Sequence, residues 1–324
     1  MKFKLFFLLS MLTSGSFAQV CFYPHVEYSV TSNTNTKNIT SGDFNNDNIP
    51  DLAVAIVTPS NVAILLNNGS GVFPSANTYT SNTQPYAICS ADFNNDNNDD
   101  VAVANNGTFQ GMSVMLGNGA GGLGAPTSYA AGTNPAGIAC GYFNNDANVD
   151  IAVTNFNNVP GTISVYMGSG TGTFAAAVTY TVGTGTNPSG IVCKDVNNDT
   201  KADLITSNVG TDNITVFLNN GSGGFFSAGS FTAGASTDPR DLVLCDLNVD
   251  GKPDVVTCNN ATSNVTVLLG QGTGQFLGPN TYLAGNGPWG IASGDFNGDG
   301  YDDLFIQARD KGWGYCFLYE CRRY

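Results

Sequence analysis

A nine-residue stretch with oxygen-bearing side chains at positions one, three, five and nine occurs six times in this chain, and it constrains the fold more than any other feature. The copies are DFNNDNIPD (43–51), DFNNDNNDD (92–100), YFNNDANVD (142–150), DVNNDTKAD (195–203), DLNVDGKPD (246–254) and DFNGDGYDD (295–303). Three carboxylates and an amide so close together repel one another unless a hard cation draws them in. Alternating acid and amide in a tight loop is how proteins present oxygens to Ca²⁺. The opening resembles an EF-hand loop, but position twelve, where that loop needs Glu, holds Val54, Val103, Val153, Thr206, Thr257 and Ile306. The residues after each loop (DLAVAIV, DVAVAN, DIAVTN) read as strand rather than exiting helix.

The loops begin 49, 50, 53, 51 and 49 residues apart. A period near 50 built from strands points to a propeller or another β array. In each unit one strand enters the aspartate loop and a second leaves it. After a polar loop comes a third strand (NVAILL, ITVFL, VTVLL), and a glycine hairpin turns it into a fourth. The fourth strand carries an aromatic residue or Leu, then an aromatic six residues on: Phe73/Tyr79, Leu123/Tyr129, Phe174/Tyr180, Phe225/Phe231 and Phe276/Tyr282. Four antiparallel strands make a blade. The 40 glycines and an 11% charged content suit short strands and tight turns.

The net charge of −14 belongs to the repeat, whose loops hold 17 aspartates at positions one, five and nine, three per loop and two in the third. Eleven Lys and Arg with no cluster beyond Arg322-Arg323 argue against nucleic-acid binding. Residues 1–18, MKFKLFFLLSMLTSGSFA, have the basic start, apolar core and small-residue end of a signal peptide. The mature chain, 19–324, is then exported, and its final place is periplasmic, secreted or cell-surface. No later segment is apolar enough for a spanning helix.

The unit resembles the FG-GAP/VCBS repeat, the blade of integrin α-subunit propellers. The loop pattern, the GxGxF turn and Gly124-Ala125-Pro126 carry the likeness, over essentially the whole mature chain. The expected fold is all-β: a six-bladed propeller forming a single domain, with seven blades as the alternative. The expected cofactor is Ca²⁺ at about five sites. The ligands are Asp43, Asn45, Asp47, Ile49 and Asp51; Asp92, Asn94, Asp96, Asn98 and Asp100; Asp195, Asn197, Asp199, Lys201 and Asp203; Asp246, Asn248, Asp250, Lys252 and Asp254; and Asp295, Asn297, Asp299, Tyr301 and Asp303, with position seven contributing its carbonyl. Tyr142 replaces the first aspartate of the third loop, so Asn144, Asp146 and Asp150 there hold the ion weakly or not at all.

The last unit ends after its third strand, YCFLYEC, whereas residues 22–28 have the frame of a fourth strand. The N-terminal strand is therefore expected to complete the last blade. Aligned on the other blades, Cys21 and Cys321 flank the turn of that joined hairpin at cross-strand spacing, and a Cys21–Cys321 disulfide is expected. Cys89, Cys140, Cys193, Cys245, Cys258 and Cys316 read as small buried residues, since no CxxC spacing marks a metal site.

Catalysis has few parts to work with. His25 is the one histidine, Glu27 and Glu320 the two glutamates, and no Ser-His-Asp, HExxH or P-loop can be assembled. A position just before each inner strand recurs as Lys37, Tyr86, Ala136, Ser189, Arg240 and Trp289, and should ring the channel mouth on the face away from the aspartate loops. Lys37, Tyr86, Arg240, Trp289 and Trp313 are the candidate ligand-binding residues. The expected role is a non-enzymatic, monomeric binding or adhesion module for a carbohydrate or an extracellular protein. The alternatives are a polysaccharide-degrading enzyme and a structural cell-envelope protein.

Overall fold

Among the described residues, the first five repeats become four-stranded antiparallel sheets and the sixth a three-stranded one. In the computed structural model, residues 35–310 are described throughout, with side chains to Ala308. Outside that range it describes Tyr28, Val30 and the backbone of strands Phe3–Leu5, Leu8–Leu9, Cys21–Phe22, Val26–Tyr28 and Trp313–Tyr319. Sheet 1 runs Asn35–Gly42, Asp51–Thr58, Asn61–Leu65 and Ala76–Thr80; sheet 2 runs Pro85–Ala91, Asp100–Asn106, Gln110–Met115 and Thr127–Ala130. Sheet 3 runs Pro135–Gly141, Asp150–Asn155, Gly161–Tyr166 and Val178–Gly183. Sheet 4 runs Pro188–Lys194, Asp203–Asn208, Asn213–Asn219 and Phe225–Thr232; sheet 5 runs Pro239–Cys245, Asp254–Asn259, Asn264–Gly270 and Phe276–Leu283. Sheet 6 has three strands, Pro288–Gly294, Asp303–Asp310 and Trp313–Tyr319.

Burial follows from stacking sheet on sheet. The second strands are nearly continuous apolar runs, as strands covered on both faces must be: Ala53, Val54, Ala55 and Ile56 are all buried. The fourth strands lie at the outer edge, and Thr127–Ala130 is mostly exposed. Five apolar clusters fill the five gaps between successive sheets, such as Met112 and Val114 against Ile151, Val153 and Tyr166 between sheets 2 and 3. First strands also pack pairwise along the series from sheet 1 to sheet 6.

The hairpin aromatics stitch neighbouring sheets together. Tyr79 Oη donates to the Gly121 carbonyl at 2.9 Å, and Tyr180 Oη to that of Gly223 at 3.2 Å. The Tyr129–Phe174, Tyr180–Phe225 and Phe231–Phe276 rings meet edge-on with centroids 5.6, 5.6 and 5.5 Å apart, a favourable T-shaped geometry.

The closure differs from the expectation. Val26–Tyr28 pairs with Phe3–Leu5, and Cys21–Phe22 with Leu8–Leu9, rather than with Trp313–Tyr319. The physical reason is competition: Phe3–Leu5 and Leu8–Leu9 offer adjacent strands at short loop length, and closing a short loop costs less entropy than closing one of nearly 300 residues (about (3/2)RT ln n). Tyr28 nevertheless docks on sheet 1 as a fourth-strand tyrosine of a preceding sheet would. Its hydroxyl donates to the Gly71 carbonyl at 3.3 Å, its ring lies 5.3 Å from Phe73, and Val30 is buried beside it in a sixth apolar cluster. The Cys21–Cys321 disulfide falls outside the described side chains, as do His25, Glu27 and Glu320. Among the other cysteines, Cys89, Cys245 and Cys258 are buried, while Cys140 and Cys193 are half-buried.

Candidate functional site

The aspartate loops and the opposite mouth are separate constructions, at the two ends of the first strands. In the loops the first aspartate shapes the turn. Asp43 Oδ1 accepts the N–H of Asp47 at 3.1 Å and Oδ2 that of Asn48 at 2.8 Å. Asp92, Asp195, Asp246 and Asp295 repeat the pattern. This winding puts positions four and six in the left-handed region, where Asn46 and Asn48 have φ of 59° and 62°; Asn and Gly tolerate that region best. With Tyr142 at position one the third loop has no such acceptor, and there only position six, Ala147, keeps a positive φ.

Position nine does something the sequence reading missed. Asp51, Asp100, Asp150, Asp203, Asp254 and Asp303 are buried, and they clamp their blades. Oδ2 accepts the N–H of position two (Phe44, Phe93, Phe143, Val196, Leu247, Phe296) at 2.8–3.1 Å. In the first five sheets Oδ1 accepts an N–H at or just past the end of the third strand (Asn67, Gly117, Gly168, Asn219, Gly270) at 2.7–2.9 Å. The available signal was that position nine is Asp in all six copies, including the one lacking position one.

Burial raises the Asp100 and Asp203 carboxyls to about 6, opposed by these N–H bonds and aided by the carboxylates at positions one and five. Asp51 and Asp254 are raised for the same reasons. As the side chains stand, no group of three or more His, Cys, Asp or Glu among the described residues is arranged to hold a metal ion. The donor chemistry fits Ca²⁺ all the same. The loop donors are oxygens, and a carboxylate oxygen that accepts one N–H keeps a second lone-pair site. The carboxylates at positions one and five also lie close enough to raise the one at position nine. In sheets 4 and 5 the position-seven lysines partly meet this charge: Lys201 Nζ lies 3.1 Å from Asp199 and Lys252 Nζ 3.0 Å from Asp250.

At the mouth, the recurring position coincides with a break in strand register in every sheet. Pairing skips Lys37–Asn38, Tyr86, Ala136–Gly137, Ser189–Gly190, Arg240 and Trp289. Such bulges re-aim side chains. Proline opens five of the six strands at this end (Pro85, Pro135, Pro188, Pro239, Pro288), where a missing ladder donor is tolerated. The result is a row of alternating rings and cations. Lys37 Nζ sits 5.0 Å from the Tyr86 ring centroid and 5.4 Å from that of Trp289. The Arg240 guanidinium sits 5.0 Å from Trp289 and 5.9 Å from Phe156. Four of the five candidate residues are thus brought together. Trp313 is described only as strand backbone. Ala136 and Ser189 leave the row small on sheets 3 and 4.

Phe156, from the NFNNVPG loop, was not singled out in the sequence; its only signal was being the aromatic residue of a polar loop. Asp238 Oδ2 accepts from Arg240 Nη2 at 2.8 Å, while Asp238 Oδ1 and Arg240 Nε are buried without a hydrogen-bond partner among the described residues. Just below lies Asp241, whose oxygens accept the N–H of Leu242 at 2.9 Å and, across the seam to sheet 6, of Ile291 at 3.3 Å. Burial raises its carboxyl to about 6.

Comparison with curated proteins gave no match. Among solved structures the chain is similar to virginiamycin B lyase from Staphylococcus aureus, at TM-score 0.58 and 14% identity over 89% of this chain and 81% of that one. It is also similar to an Agrocybe aegerita lectin that recognises non-reducing terminal N-acetylglucosamine, at TM-score 0.52 and 18% identity over 88% and 80%. A putative 6-phosphogluconolactonase from Bacteroides uniformis gives TM-score 0.54 and 14% identity over 86% and 80%. At these identities the likeness is of fold, and it is propeller-like. The FG-GAP-like repeat matches five overlapping stretches, residues 43–103, 92–153, 143–206, 195–257 and 246–306. Each match runs from one aspartate loop to the strand after the next, the unit whose geometry is described above, and the chain belongs to the FG-GAP-like repeat family.

Proposed function

We propose that this protein is an exported, Ca²⁺-stabilised propeller of six blades that binds a carbohydrate or an extracellular protein at the mouth opposite its aspartate loops. The observation that carries this reading is the gathering of Lys37, Tyr86, Arg240 and Trp289 at four of the six register breaks. The lectin among the similar structures supports a carbohydrate, as an analogy of fold.

Ca²⁺ would be held by the oxygens of the five loops that keep the first aspartate, with the third loop weaker. Its chemistry there is to offset the mutual repulsion of the loop carboxylates. Chelation is expected to lower the melting temperature by several degrees, and added Ca²⁺ to restore it. An unchanged melt would remove the metal from the proposal.

Binding rather than catalysis suits Asp241, the carboxyl below Arg240, since both its oxygens are already engaged by backbone N–H groups. Its neighbour Cys258 is buried, and burial pushes that thiol up. A screen of glycans and surface proteins, with a polysaccharide turnover assay alongside, tests the reading. Turnover without stable binding would favour an enzyme.

A further inference from the structure

We infer that Lys201 and Lys252 are built-in cations that weaken Ca²⁺ binding in the fourth and fifth aspartate loops, so that the series of loops takes up the ion in two tiers; this rests on the reading of the loops as Ca²⁺ sites. The difference lies at position seven. In the fourth and fifth loops the lysine reaches back two residues to the position-five carboxylate. Its Nζ donates to Asp199 Oδ2 at 3.1 Å and to Asp250 Oδ2 at 3.0 Å. In the first two loops position seven is Ile49 or Asn98. There Asp47 Oδ2 and Asp96 Oδ2 accept an uncharged donor, the amide of position three, from Asn45 at 2.9 Å and Asn94 at 3.0 Å. No Lys or Arg pairs with either carboxylate among the described residues.

The fold holds this side chain in place. In all four loops position seven lies over the first glycine of its own blade's hairpin (Gly69, Gly119, Gly221 and Gly272), where φ is 65–84°. A Cβ on Gly221 would come within 2.9 Å of Lys201 Cε, and one on Gly272 within 3.1 Å of Lys252 Cδ. Exposed ion pairs are weak partly because two long side chains must be ordered to make them. Here the lysine stem already rests along the hairpin, so ordering the ammonium costs less. At the same place Asn98 does other work: its Oδ1 accepts Asn46 Nδ2 of the preceding loop at 2.6 Å, which links two loops without adding charge.

Charge then grades the loops. Residues 43–51 hold three aspartates and 92–100 four, with no cation, whereas 195–203 and 246–254 each hold three aspartates and one lysine. A divalent ion gains most where it relieves most repulsion. An ammonium fixed beside a donor carboxylate relieves part of that repulsion beforehand and repels a second cation. The first two loops therefore fill at lower free Ca²⁺ and loosen more when it is withdrawn. The fourth and fifth fill later and loosen less, because they carry a substitute for part of its charge.

Hydrogen exchange of the full chain tests this, read loop by loop by mass spectrometry as free Ca²⁺ is raised from chelator. The loops at 43–51 and 92–100 are expected to gain protection at about fivefold lower free Ca²⁺ than those at 195–203 and 246–254, the effect of one screened charge on a divalent ion. Lys201→Gln is expected to bring the fourth loop's midpoint down to that of the first two and to leave the fifth unmoved. Lys252→Gln is expected to do the reverse. Lys201→Arg keeps the charge and is expected to keep the native order, with the melting temperature in saturating Ca²⁺ followed for every variant. Equal midpoints in the four loops of the native chain overturn the inference and leave the Ca²⁺ sites standing, as do midpoints unmoved by both glutamine substitutions. Lys201→Arg behaving as Lys201→Gln also overturns it, since charge is then not the cause. No response to Ca²⁺ in any loop overturns both this inference and the metal reading beneath it.

Discussion

At the scale of single residues, the same side chain type does unlike work according to where the backbone holds it. Asp241 and the loop aspartates are all carboxylates, yet Asp241 lies off the repeated loops and close to the mouth. Its pKa is raised in the folded chain, from 3.8 to about 6, by burial. The protonated form is therefore favoured by folding. Its contribution is complete below about pH 4 and is lost as pH rises through about 6. Asp241→Asn should remove this titration, so that stability no longer falls between pH 4 and pH 7, while the loss of one of the two N–H acceptors lowers stability at pH 4 by about 1–3 kcal/mol. Melts of both proteins across that range check it. Tyr142→Asp tests the loop reading in the opposite sense, by gain. A carboxylate at position 142 has the N–H groups of Asp146 and Ala147 to accept, as its counterparts do, and calorimetry should count one further Ca²⁺ per chain. The candidate ligands could be listed from the sequence because oxygen spacing is a local property. The clamp at position nine could not, because its partner N–H lies 16 to 18 residues away in the first five sheets.

At the scale of the element, the aspartate hairpin is fastened from within, by backbone N–H bonds to its first and ninth aspartates. Removing the clamp by Asp203→Ala strands the N–H groups of Val196 and Asn219 in a buried place. A loss of about 3 kcal/mol or more follows in denaturant unfolding. Tyr180→Phe leaves the ring against Phe225 but drops the bond to Gly223, and should cost only about 1 kcal/mol. The contrast separates a clamp inside a blade from a stitch between blades. The four strands of each unit were legible in the sequence, since alternation, glycine hairpins and the aromatic frame all act over short spans. The register breaks at the mouth were not. A bulge is one residue too many against a partner strand, and no pattern within a single strand reveals the mismatch. The recurring mouth position was visible; that it owes its aim to an interrupted ladder was not.

At the scale of the whole molecule, closure sets sheets 1 and 6 apart from the other neighbours. First strands pack pairwise from sheet 1 to sheet 6, but those of sheets 6 and 1 do not approach as closely. Lys37, reaching from sheet 1 to Trp289 of sheet 6, spans that seam. Tyr28 is already seated on Gly71 and Phe73 as the neighbouring blades seat their own aromatics, while its strand is paired with Phe3–Leu5. A chain lacking residues 1–18 should therefore pair Val26–Tyr28 with Trp313–Tyr319. Amide exchange in Trp313–Tyr319 should slow relative to the full chain, and the melting temperature should rise. Repetition allowed the sequence by itself to determine the repeat, the sheet order and the oxygen-rich loops. Each of these is set by residues a few positions apart and then copied six times. Only the tertiary structure decided which side chains meet at the mouth, what the ninth aspartate holds and where the first strand pairs. Those contacts join residues far apart in the chain, and they are chosen by competition among partners that sequence spacing does not rank.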